Sequence, residues 1–490
     1  MNVLFVTVDS LRRDFVGAYR DRPRVVDYPV ATDTIDAFAE RSTVTTFANH
    51  YAGSLPCMPA RREFLAGVRE FLWRPWGPAE PFDDLLPALA GAAGATTALV
   101  TDHYHYFEAG GERYWTDYDG FEFVRGHEHD HWKTAPADPD PELLAQLGDR
   151  DPEPYARNVA GLDPTDETAF FAARTFSTAA DWVRDNAGDH DDWFLYVDSF
   201  DVHEPFHNPE PYASMYTDED PRDPELAVWP DYDSVAGQGM TARELAFVRS
   251  QFAGKVTMAD RWLGELFDAL GAAGAWEETV VVLTTDHGYA LGDHGQMAKN
   301  HQPTYDEIAH TPLLIHHPDG TGGRVTGLTS AVDVYPTLLA AIGGSVPDGH
   351  GTDLLAHVTG DRDPADGRDY ALYGYFGAGI NVTDGQYTYL HPAPTDAPVA
   401  LYSAVQPPGA DDDAEPATLP YADPPVWRYE RPSTPQNETP LLFDVEADPE
   451  QTEDLTESRP GEHERLRDLL VAGLDALSAP ASQYERLGLS

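Results

Sequence analysis

This chain of 490 amino acids contains only three lysines and one cysteine, fewer than of any other residue type. The lysines are Lys133, Lys255 and Lys299, and the cysteine is Cys57. A single cysteine excludes an internal disulfide framework. No apolar run reaches the ~18 residues of a membrane span, and residues 1–10 lack the basic region of a secretory signal. We therefore expect a cytoplasmic protein with no membrane partner.

Positive charge is also scarce, because Asp and Glu number 84 against 32 for Lys and Arg, which gives a formal net charge of −52. The acidic residues are spread over the whole chain, and this distribution favours a surface adapted to high salt and a halophilic, archaeal source. Such a surface repels nucleic acid and anionic membranes, so we expect no nucleic-acid partner. An anionic substrate would need a local positive site. The composition leaves the oligomeric state open.

Short apolar runs alternate with helical patterns over residues 1–360, and hydrophobic residues make up 41% of the chain. This alternation predicts an α/β fold with a mainly parallel central sheet flanked by helices. Alternating stretches at 371–376 and 386–391 and a helical pattern at 462–477 predict a small C-terminal antiparallel sheet and helix. We therefore divide the chain into an α/β domain, 1–360, and an α+β subdomain, 361–490. Irregular segments are predicted at 107–164, 207–240 and 405–438.

Polar side chains follow the predicted strands, at the edge of the sheet where ligands bind in open α/β folds. These residues are Asp9, His103, His105, His203, Asp286 and His287. They follow four different strands, so we expect them to converge on one crevice. Histidines in this position favour acid–base or oxyanion roles. The alternatives are that the acids cap helices and that the histidines are satisfied structural residues.

A metal site is one interpretation of this edge of the sheet. Asp9 and Asp286 supply hard oxygen ligands and His287 supplies an imidazole, a set that suits Ca²⁺, Mg²⁺ or Mn²⁺. The Asp-His pair recurs at Asp293 and His294, in the segment LTTDHGYALGDHG. This recurrence favours a metal site over two separate helix caps.

The segment SLPCMPARREFLAG, residues 54–67, places the only cysteine at the start of a predicted helix. A buried cysteine is usually a small hydrophobic residue, but a helix N-terminus favours an anion. Arg61 lies one turn beyond Cys57, and its guanidinium suits a tetrahedral oxyanion. Arg62 is expected to face solvent. Lys299 is retained where lysine is nearly absent, so we expect a required ammonium rather than a chance surface residue.

Taken together, these segments resemble the sulfatase family of the alkaline-phosphatase superfamily. The resemblance spans essentially the whole chain and rests on NVLFVTVDSLR, CMPARREFLAG, TDHYHYF, DVHEPF, DHGYALGDHG, TPLLI, SAVDVYPTLLAAIG, VTDGQYTYL and LFDVEADPEQTEDL. The C-x-P-x-R motif followed by L-x-G is highly specific. The resemblance implies an alkaline-phosphatase-like core, catalysis by residues 1–360, and an arylsulfatase-like hydrolase of small-molecule or glycan sulfate esters.

The resemblance also implies two cofactors. A separate maturation enzyme would oxidise Cys57 to formylglycine, and the hydrated aldehyde would be the nucleophile. One divalent metal would activate it, with Ca²⁺ expected and Mg²⁺ or Mn²⁺ as alternatives. The implied metal ligands are Asp9, Ser10, Asp286 and His287.

The resemblance further implies roles for the remaining site residues. The sulfate oxygens would be bound by Arg61, Lys299 and His103. His203, together with Lys299, would protonate the departing alcohol. His105 would be the base that helps the sulfated intermediate to collapse into sulfate and aldehyde.

Three positions depart from the family pattern. Ser10 stands where a second acid is common, His103 stands where the lysine of a K-x-H pair is common, and Pro56 directly precedes the cysteine. Ser10 lowers the negative charge of the metal site, and His103 replaces a fixed cation by a titratable one. Related phosphonate and phosphodiester hydrolases also vary the second acid, so they are the enzymatic alternative. A non-catalytic binder of sulfated glycans is the alternative from another class.

Overall fold

The strands form four sheets in this computed structural model, which describes residues 1–20, 22–133, 137–393, 398–405 and 414–489. In chain order the strands are β1 (Asn2–Val8), β2 (Val44–Tyr51), β3 (Ser54–Leu55), β4 (Thr96–Thr101), β5 (Gly120–Phe123), β6 (Trp193–Ser199), β7 (Thr279–Thr284), β8 (Ala290–Leu291), β9 (Met297–Ala298), β10 (Leu313–His316), β11 (Gly323–Ser330), β12 (Ala371–Tyr375), β13 (Ile380–Thr383), β14 (Tyr387–His391), β15 (Val399–Ser403), β16 (Glu415–Leu419), β17 (Ala422–Arg431) and β18 (Leu441–Asp444). The largest described sheet has eight strands and forms the centre of the molecule.

The central sheet has the strand order β11-β2-β10-β7-β1-β6-β4-β5. β10 runs antiparallel to its neighbours β2 and β7, and the other described pairs are parallel. β1, β6 and β7 are adjacent and completely buried, as apolar strands of a parallel sheet covered on both faces are. The predicted α/β fold with a mainly parallel central sheet is confirmed.

Helices cover the two faces of this sheet. In chain order the described helices are α1 (Asp33–Ala39), α2 (Cys57–Ala66), α3 (Leu86–Ala92), α4 (Arg113–Thr116), α5 (Pro141–Leu147), α6 (Glu153–Val159), α7 (Phe171–Asn186), α8 (Ala242–Ala272), α9 (Asp306–Ala309), α10 (Val334–Ile342), α11 (Leu355–Val358), α12 (Pro460–Ala476) and α13 (Ala481–Leu487). None of the described helices is long and apolar enough to cross a membrane.

Alternate side chains of β1 pack into two hydrophobic layers. Leu4 and Val6 lie in the layer that contains residues of α7 and α8. Val3 and Phe5 lie in the layer that contains residues of α2, α3 and α10. The period of two along the strand therefore supplies both layers, and α2, which begins with Cys57, is packed directly against the sheet.

The second sheet has the order β18-β14-β13-β12-β3. Its C-terminal strands pair antiparallel, and α12 packs on them through Leu466, Leu470 and Leu474. The predicted small C-terminal antiparallel sheet and helix is therefore confirmed. The fifth strand is β3, which pairs parallel with β12 and leads directly into Cys57. The division of the chain at residue 360 stays a prediction, but this sheet draws strands from both sides of that boundary.

Two segments predicted to be irregular contain regular structure. The prediction of a loop at 405–438 is wrong, because β16 and β17 pair with β15 in a three-stranded sheet, although residues 406–413 lie outside the described part. Pro424 and Pro425 argued against a strand, because proline interrupts strand pairing. In the structure they lie at the register shift between β16 and β17, where the ladder is interrupted. The segment 107–164 likewise contains β5, α5 and α6, which bury Leu147 and Tyr155.

Arg62 does not face solvent, so that prediction is also wrong. Its guanidinium is completely buried and donates to both carboxylate oxygens of Asp83 at 2.7 Å and to Glu70 at 2.9 Å. The partners lie 21 and 8 residues further along the chain, so no local pattern marks them. This ion-pair cluster fixes the second half of α2 in the interior.

Replacing Arg62 by alanine leaves the buried Asp83 and Glu70 carboxylates without their guanidinium partner. Removing one member of a buried ion pair costs about 3–5 kcal/mol, so we expect the urea concentration at the unfolding midpoint to fall. The control is Arg184→Ala, which breaks a surface pair with Asp181 and costs less than about 1 kcal/mol. Equal losses in the two variants would contradict a stabilising role for the buried cluster.

Candidate active site

Cys57 is the first residue of α2, at the carboxyl edge of the central sheet. Its side chain is buried, and Sγ lies 3.3 Å from His287 Nε2 and 3.6 Å from Lys299 Nζ. Burial and the charge of Asp9 raise the pKa of the thiol well above its ordinary value. The thiol therefore sits between an imidazole and an ammonium, although its two partners are more than 200 residues away in sequence.

Arg61 lies among three carboxylates rather than beside the thiol. Its guanidinium donates to Asp198 at 2.9 and 3.2 Å, approaches Asp9 at 2.9 Å, and also binds Asp286. All four side chains are completely buried. The contact with Cys57 is to the carbonyl oxygen, at 3.4 Å. The Arg61 guanidinium was expected to lie beside the thiol, but it binds the three carboxylates instead.

Asp198 is a site residue that the sequence analysis missed. It is the sixth residue of β6, and Thr7 of β1, its partner in register, donates to its Oδ1 at 2.5 Å. The available signal was a carboxylate inside an otherwise apolar strand, WFLYVDS. A completely buried acid requires a partner, and here that partner is Arg61.

The predicted cation ligands are brought together. Ligand atoms of Asp9, Cys57, Asp286 and His287 all lie within 4.8 Å of one another. His287 Nδ1 donates to the Gly288 carbonyl oxygen at 2.8 Å, which directs the Nε2 lone pair into the cluster. Asp9 Oδ2 makes no hydrogen bond among the described residues, and its close contact is the ion pair with the Arg61 guanidinium at 2.9 Å. Two carboxylates and an imidazole fit a divalent cation such as Ca²⁺, Mg²⁺ or Mn²⁺.

Ser10 links the cation ligands to Lys299. Its hydroxyl donates to Asp9 Oδ1 at 2.7 Å and accepts from Lys299 Nζ at 3.2 Å, while its main-chain N–H donates to Asp286 Oδ1 at 3.1 Å. The interpretation of Lys299 as a chance surface residue is excluded, because it is 1% exposed. Burial lowers the pKa of Lys299, but Cys57, Glu204 and Asp9 outweigh it and the pKa stays above its ordinary value.

Burial and neighbouring charges shift the pKa values of the two acids of this cluster in opposite directions. Burial and the neighbouring charge of Asp286 raise the pKa of Asp9 well above its ordinary value. Burial would also raise the pKa of Asp286, but Arg61 outweighs it and the pKa is lowered. Burial lowers the pKa of His287 to about 3, so its imidazole is neutral and can act as a ligand.

His103 and His105 lie on the side of the cluster that faces β4. His103 Nε2 is 3.8 Å from Asp9 Oδ2, and burial lowers its pKa well below the ordinary value, so it is a neutral donor rather than a cation. His105 Nδ1 lies 3.0 Å from Glu108 Oε1. Its ring lines a cavity of about 440 Å³ together with Met58 and Trp76. The two imidazoles, with ring centroids 5.2 Å apart, connect that cavity to the cation ligands.

His203 follows β6 at the same edge but belongs to a second group of side chains. Its Nδ1 donates to the Glu204 carbonyl oxygen at 2.8 Å, and its ring stacks on Phe200 at 4.3 Å. Ligand atoms of His203, Glu204 and Glu128 also lie within 4.8 Å of one another. Burial and the charge of Lys299 lower the pKa of His203 well below its ordinary value.

Asp293 and His294, which strengthened the metal interpretation, do not join the cation ligands. Asp293 accepts from Arg12 and from the Leu291 N–H, and His294 stacks on Tyr305 at 3.7 Å. The second Asp-His pair therefore orders the loop after β7. The two Asp-His pairs are alike in sequence, but their side chains have different partners.

The family model of the sulfatases matches residues 1–344 of this chain. The chain belongs to the sulfatase family. Membership makes it a sulfuric ester hydrolase, and the matched range contains Asp9, Cys57, Asp286 and Lys299.

Two curated proteins are similar to this sulfatase over most of its length. The multifunctional alkaline phosphatase superfamily protein PehA of Trinickia caryophylli is 26% identical over 431 residues, covering 76% of this chain and 79% of that protein. The choline-sulfatase of Rhizobium meliloti (strain 1021) is 26% identical over 421 residues, covering 80% of this chain and 78% of that protein.

A solved structure, the phosphonate monoester hydrolase of Agrobacterium radiobacter, is similar in fold. It has a TM-score of 0.63 and 22% identity, and the alignment covers 96% of this chain and 95% of that one. The scaffold of this sulfatase therefore also occurs in a phosphonate monoester hydrolase, and the fold alone does not separate the two activities.

Replacing Asp286 by asparagine removes a charged ligand from the cation cluster. We expect the wild-type protein to retain one divalent cation per chain after dialysis against Ca²⁺, Mg²⁺ or Mn²⁺, and the variant to retain none, as measured by elemental mass spectrometry. The matched control is Asp293→Asn, which alters the second Asp-His pair and keeps the cation. Loss of the cation from the control, or its retention by Asp286→Asn, would contradict this assignment of ligands.

Proposed function

We propose that this sulfatase hydrolyses sulfate esters of small molecules or glycans at residue 57, after a maturation enzyme has oxidised Cys57 to formylglycine. The observation that carries the proposal is the position of the Cys57 sulfur, 3.3 Å from His287 Nε2 and 3.6 Å from Lys299 Nζ. A reacting atom at this point lies between a cluster of cation ligands and a positive charge. That combination suits an anionic ester whose oxygens gain charge during the reaction.

The two cofactors would supply the nucleophile and its activation. Formylglycine supplies a hydrated aldehyde, with one hydroxyl to attack sulfur and a second to expel the bound sulfate. A divalent cation, Ca²⁺ by preference, supplies Lewis-acid activation of that hydroxyl. The residues that would hold the cation are Asp9, Asp286 and His287, with Ser10 beside them.

Positive charge for the sulfate oxygens would come from Lys299 and Arg61. Lys299 Nζ points at the reacting atom, because it donates to Cys57 Sγ and to Ser10 Oγ. Arg61 is held in place by buried carboxylates and would contribute its charge from behind the sulfate. His103 would donate a ring N–H, since both of its nitrogens lack a hydrogen-bond partner among the described residues.

Proton transfers would fall to His203, Lys299 and His105. The Nδ1 of His203 is occupied by the Glu204 carbonyl oxygen, so Nε2 is left for the departing oxygen of the ester. Lys299 would share this role, because its ammonium keeps its proton at neutral pH. His105 would accept the proton that is released as sulfate is expelled.

Hydrolysis of phosphonate monoesters or phosphodiesters is the second candidate. Ser10 is neutral, so the cation cluster contains two carboxylates, Asp9 and Asp286. Phosphonate monoesters and phosphodiesters carry one negative charge, as sulfate esters do, so a cluster of this charge suits all three, and the same fold occurs in a phosphonate monoester hydrolase. The family match favours sulfate esters as the first candidate.

A panel of aryl and alkyl sulfates, a phosphodiester and a phosphonate monoester, assayed in high salt, tests this proposal. We expect the highest kcat/KM for a sulfate ester, and a loss of about 10⁴-fold or more in Cys57→Ala, because the nucleophile is removed. Mass spectrometry of the Cys57 peptide reports its conversion.

Turnover of phosphodiesters or phosphonates without any sulfate ester, in converted and metal-replete protein, would replace the first candidate by the second. An intact thiol in protein from the native host, or full activity of Cys57→Ala, would remove the formylglycine mechanism from both.

We also propose that the surface is adapted to high salt, because the chain has a formal net charge of −52. Salt screens this repulsion, so we expect the unfolding temperature to rise as KCl increases from about 0.1 M to about 2 M. Sucrose of equal osmotic strength is the control, since it stabilises folded proteins without screening charge. An unfolding temperature that falls in KCl would contradict salt adaptation.

A further inference from the structure

A second pair of buried carboxylates, Glu128 and Glu204, lies beside His203 and outside the cation cluster at Cys57. Glu128 is 5% exposed and Glu204 is completely buried. Tyr232 donates its hydroxyl hydrogen to Glu204 Oε1 at 2.5 Å, so one oxygen of that acid is satisfied. Ligand atoms of Glu128, His203 and Glu204 lie within 4.8 Å of one another.

One oxygen of each acid in this pair is unsatisfied. Glu128 Oε2 and Glu204 Oε2 are buried and have no hydrogen-bond partner among the described residues. Two imidazoles lie in ion-pair range of them, His105 Nε2 at 3.6 Å from Glu128 and His203 Nδ1 at 3.3 Å from Glu204, and the Tyr104 hydroxyl also interacts with Glu128. His129 Nδ1 lies 3.9 Å from the other oxygen of Glu128.

The Glu128 and Glu204 pair has no fixed positive charge in contact with it among the described residues. Within the described residues, no lysine or arginine lies in ion-pair contact with either glutamate, and Lys299 is directed to Ser10 and Cys57. The Arg150 guanidinium packs on the Tyr232 ring, 4.1 Å from its centroid. Burial and the Glu204 charge raise the pKa of Glu128 to about 8, against the opposing effects of Lys299 and Arg150.

Aromatic rings lie around His203, beside the two acids. Phe200 stacks on His203, and Tyr104 lies edge-on to Phe200 with ring centroids 6.0 Å apart. The Tyr289 hydroxyl is buried without a partner among the described residues, and the Glu204 charge acts on it. Carboxylates together with aromatic faces bind organic cations, which gain from both the ionic contact and the ring quadrupoles.

We propose that Glu128 and Glu204 form a subsite for an ammonium group carried by the alcohol half of the sulfate ester. This inference rests on the proposed function, which gives His203 to the departing oxygen. Because ligand atoms of His203 and both acids lie within 4.8 Å of one another, the ammonium and the ester oxygen would belong to the same short alcohol. The favoured substrates are therefore sulfate esters of short amino alcohols.

The same geometry disfavours an inorganic cation at the subsite. A metal ion would take the His203 imidazole as its third ligand and remove it from the departing oxygen. An ammonium needs only the carboxylates and leaves the imidazole free. The subsite is as enclosed as the position of the thiol, since Cys57 is 2% exposed and His203 3%.

Two matched esters, 2-aminoethyl sulfate and propyl sulfate, test the subsite because they differ by an ammonium in place of a methyl group. We expect calorimetry on the full chain at fixed salt to give about tenfold tighter binding of the ammonium ester, equivalent to about 1.4 kcal/mol. The ratio should approach one in Glu128→Gln and Glu204→Gln, and kcat/KM should follow it. Thermal unfolding verifies that the variants are folded.

The matched control is Glu108→Gln, which removes a charge beside His105 on the side away from the subsite and keeps the ratio. Equal binding of the two esters by the wild-type protein would overturn the subsite, whether or not either ester is hydrolysed. Binding with the expected ratio but no hydrolysis would support the subsite and count against the proposed function. A second equivalent of Mn²⁺ lost only in the glutamate variants would assign the site to an inorganic cation and overturn the proposal.

Discussion

The guanidinium of Arg61 is shared by three buried carboxylates, and the arrangement around residue 57 depends on this contact. Asp9, Asp198 and Asp286 come from the ends of β1, β6 and β7, which are neighbours in the sheet. Their repulsion in the interior would be costly without a cation among them. One guanidinium brings a single positive charge to three acids, and a divalent cation beside it would relieve the repulsion between Asp9 and Asp286. The capacity for a metal therefore follows from how the sheet edge is built.

The C-terminal sheet also helps to fix the position of Cys57. β3 pairs with β12 and then turns directly into Cys57, so the start of α2 is held by a strand from the last quarter of the chain. The Arg62 cluster fixes the same helix one residue beyond Arg61. Loss of either anchor would move the thiol relative to Lys299. The second sheet is thus part of the site's support, although four of its five strands lie beyond the matched family range.

The sequence predicted a site residue where a regular strand pattern implied its position, and it failed where the residue pairs with a distant side chain. Asp9 and Asp286 follow apolar strands, and parallel strands bring their ends together, so their convergence was predictable. Asp198 pairs with Arg61 across 137 residues, and Arg62 pairs with Asp83, with no periodicity to reveal either. Asp293 repeats the motif of Asp286 but meets Arg12 instead. Pairing between distant side chains is set by packing, which composition and spacing do not encode.

Two of the three lysines in this chain are buried. Lys299 lies beside the Cys57 sulfur, and Lys255 is buried against Asp201 and donates to the His203 carbonyl oxygen at 3.0 Å. A protein with a formal net charge of −52 repels an anionic ester at long range. At molar salt the Debye length falls to about 3 Å, so that repulsion ends close to the surface. In the proposed function, the contact of Lys299 with the sulfate and the nearby charge of Arg61 would then decide whether a sulfate is bound, and high salt and an anionic substrate would be compatible.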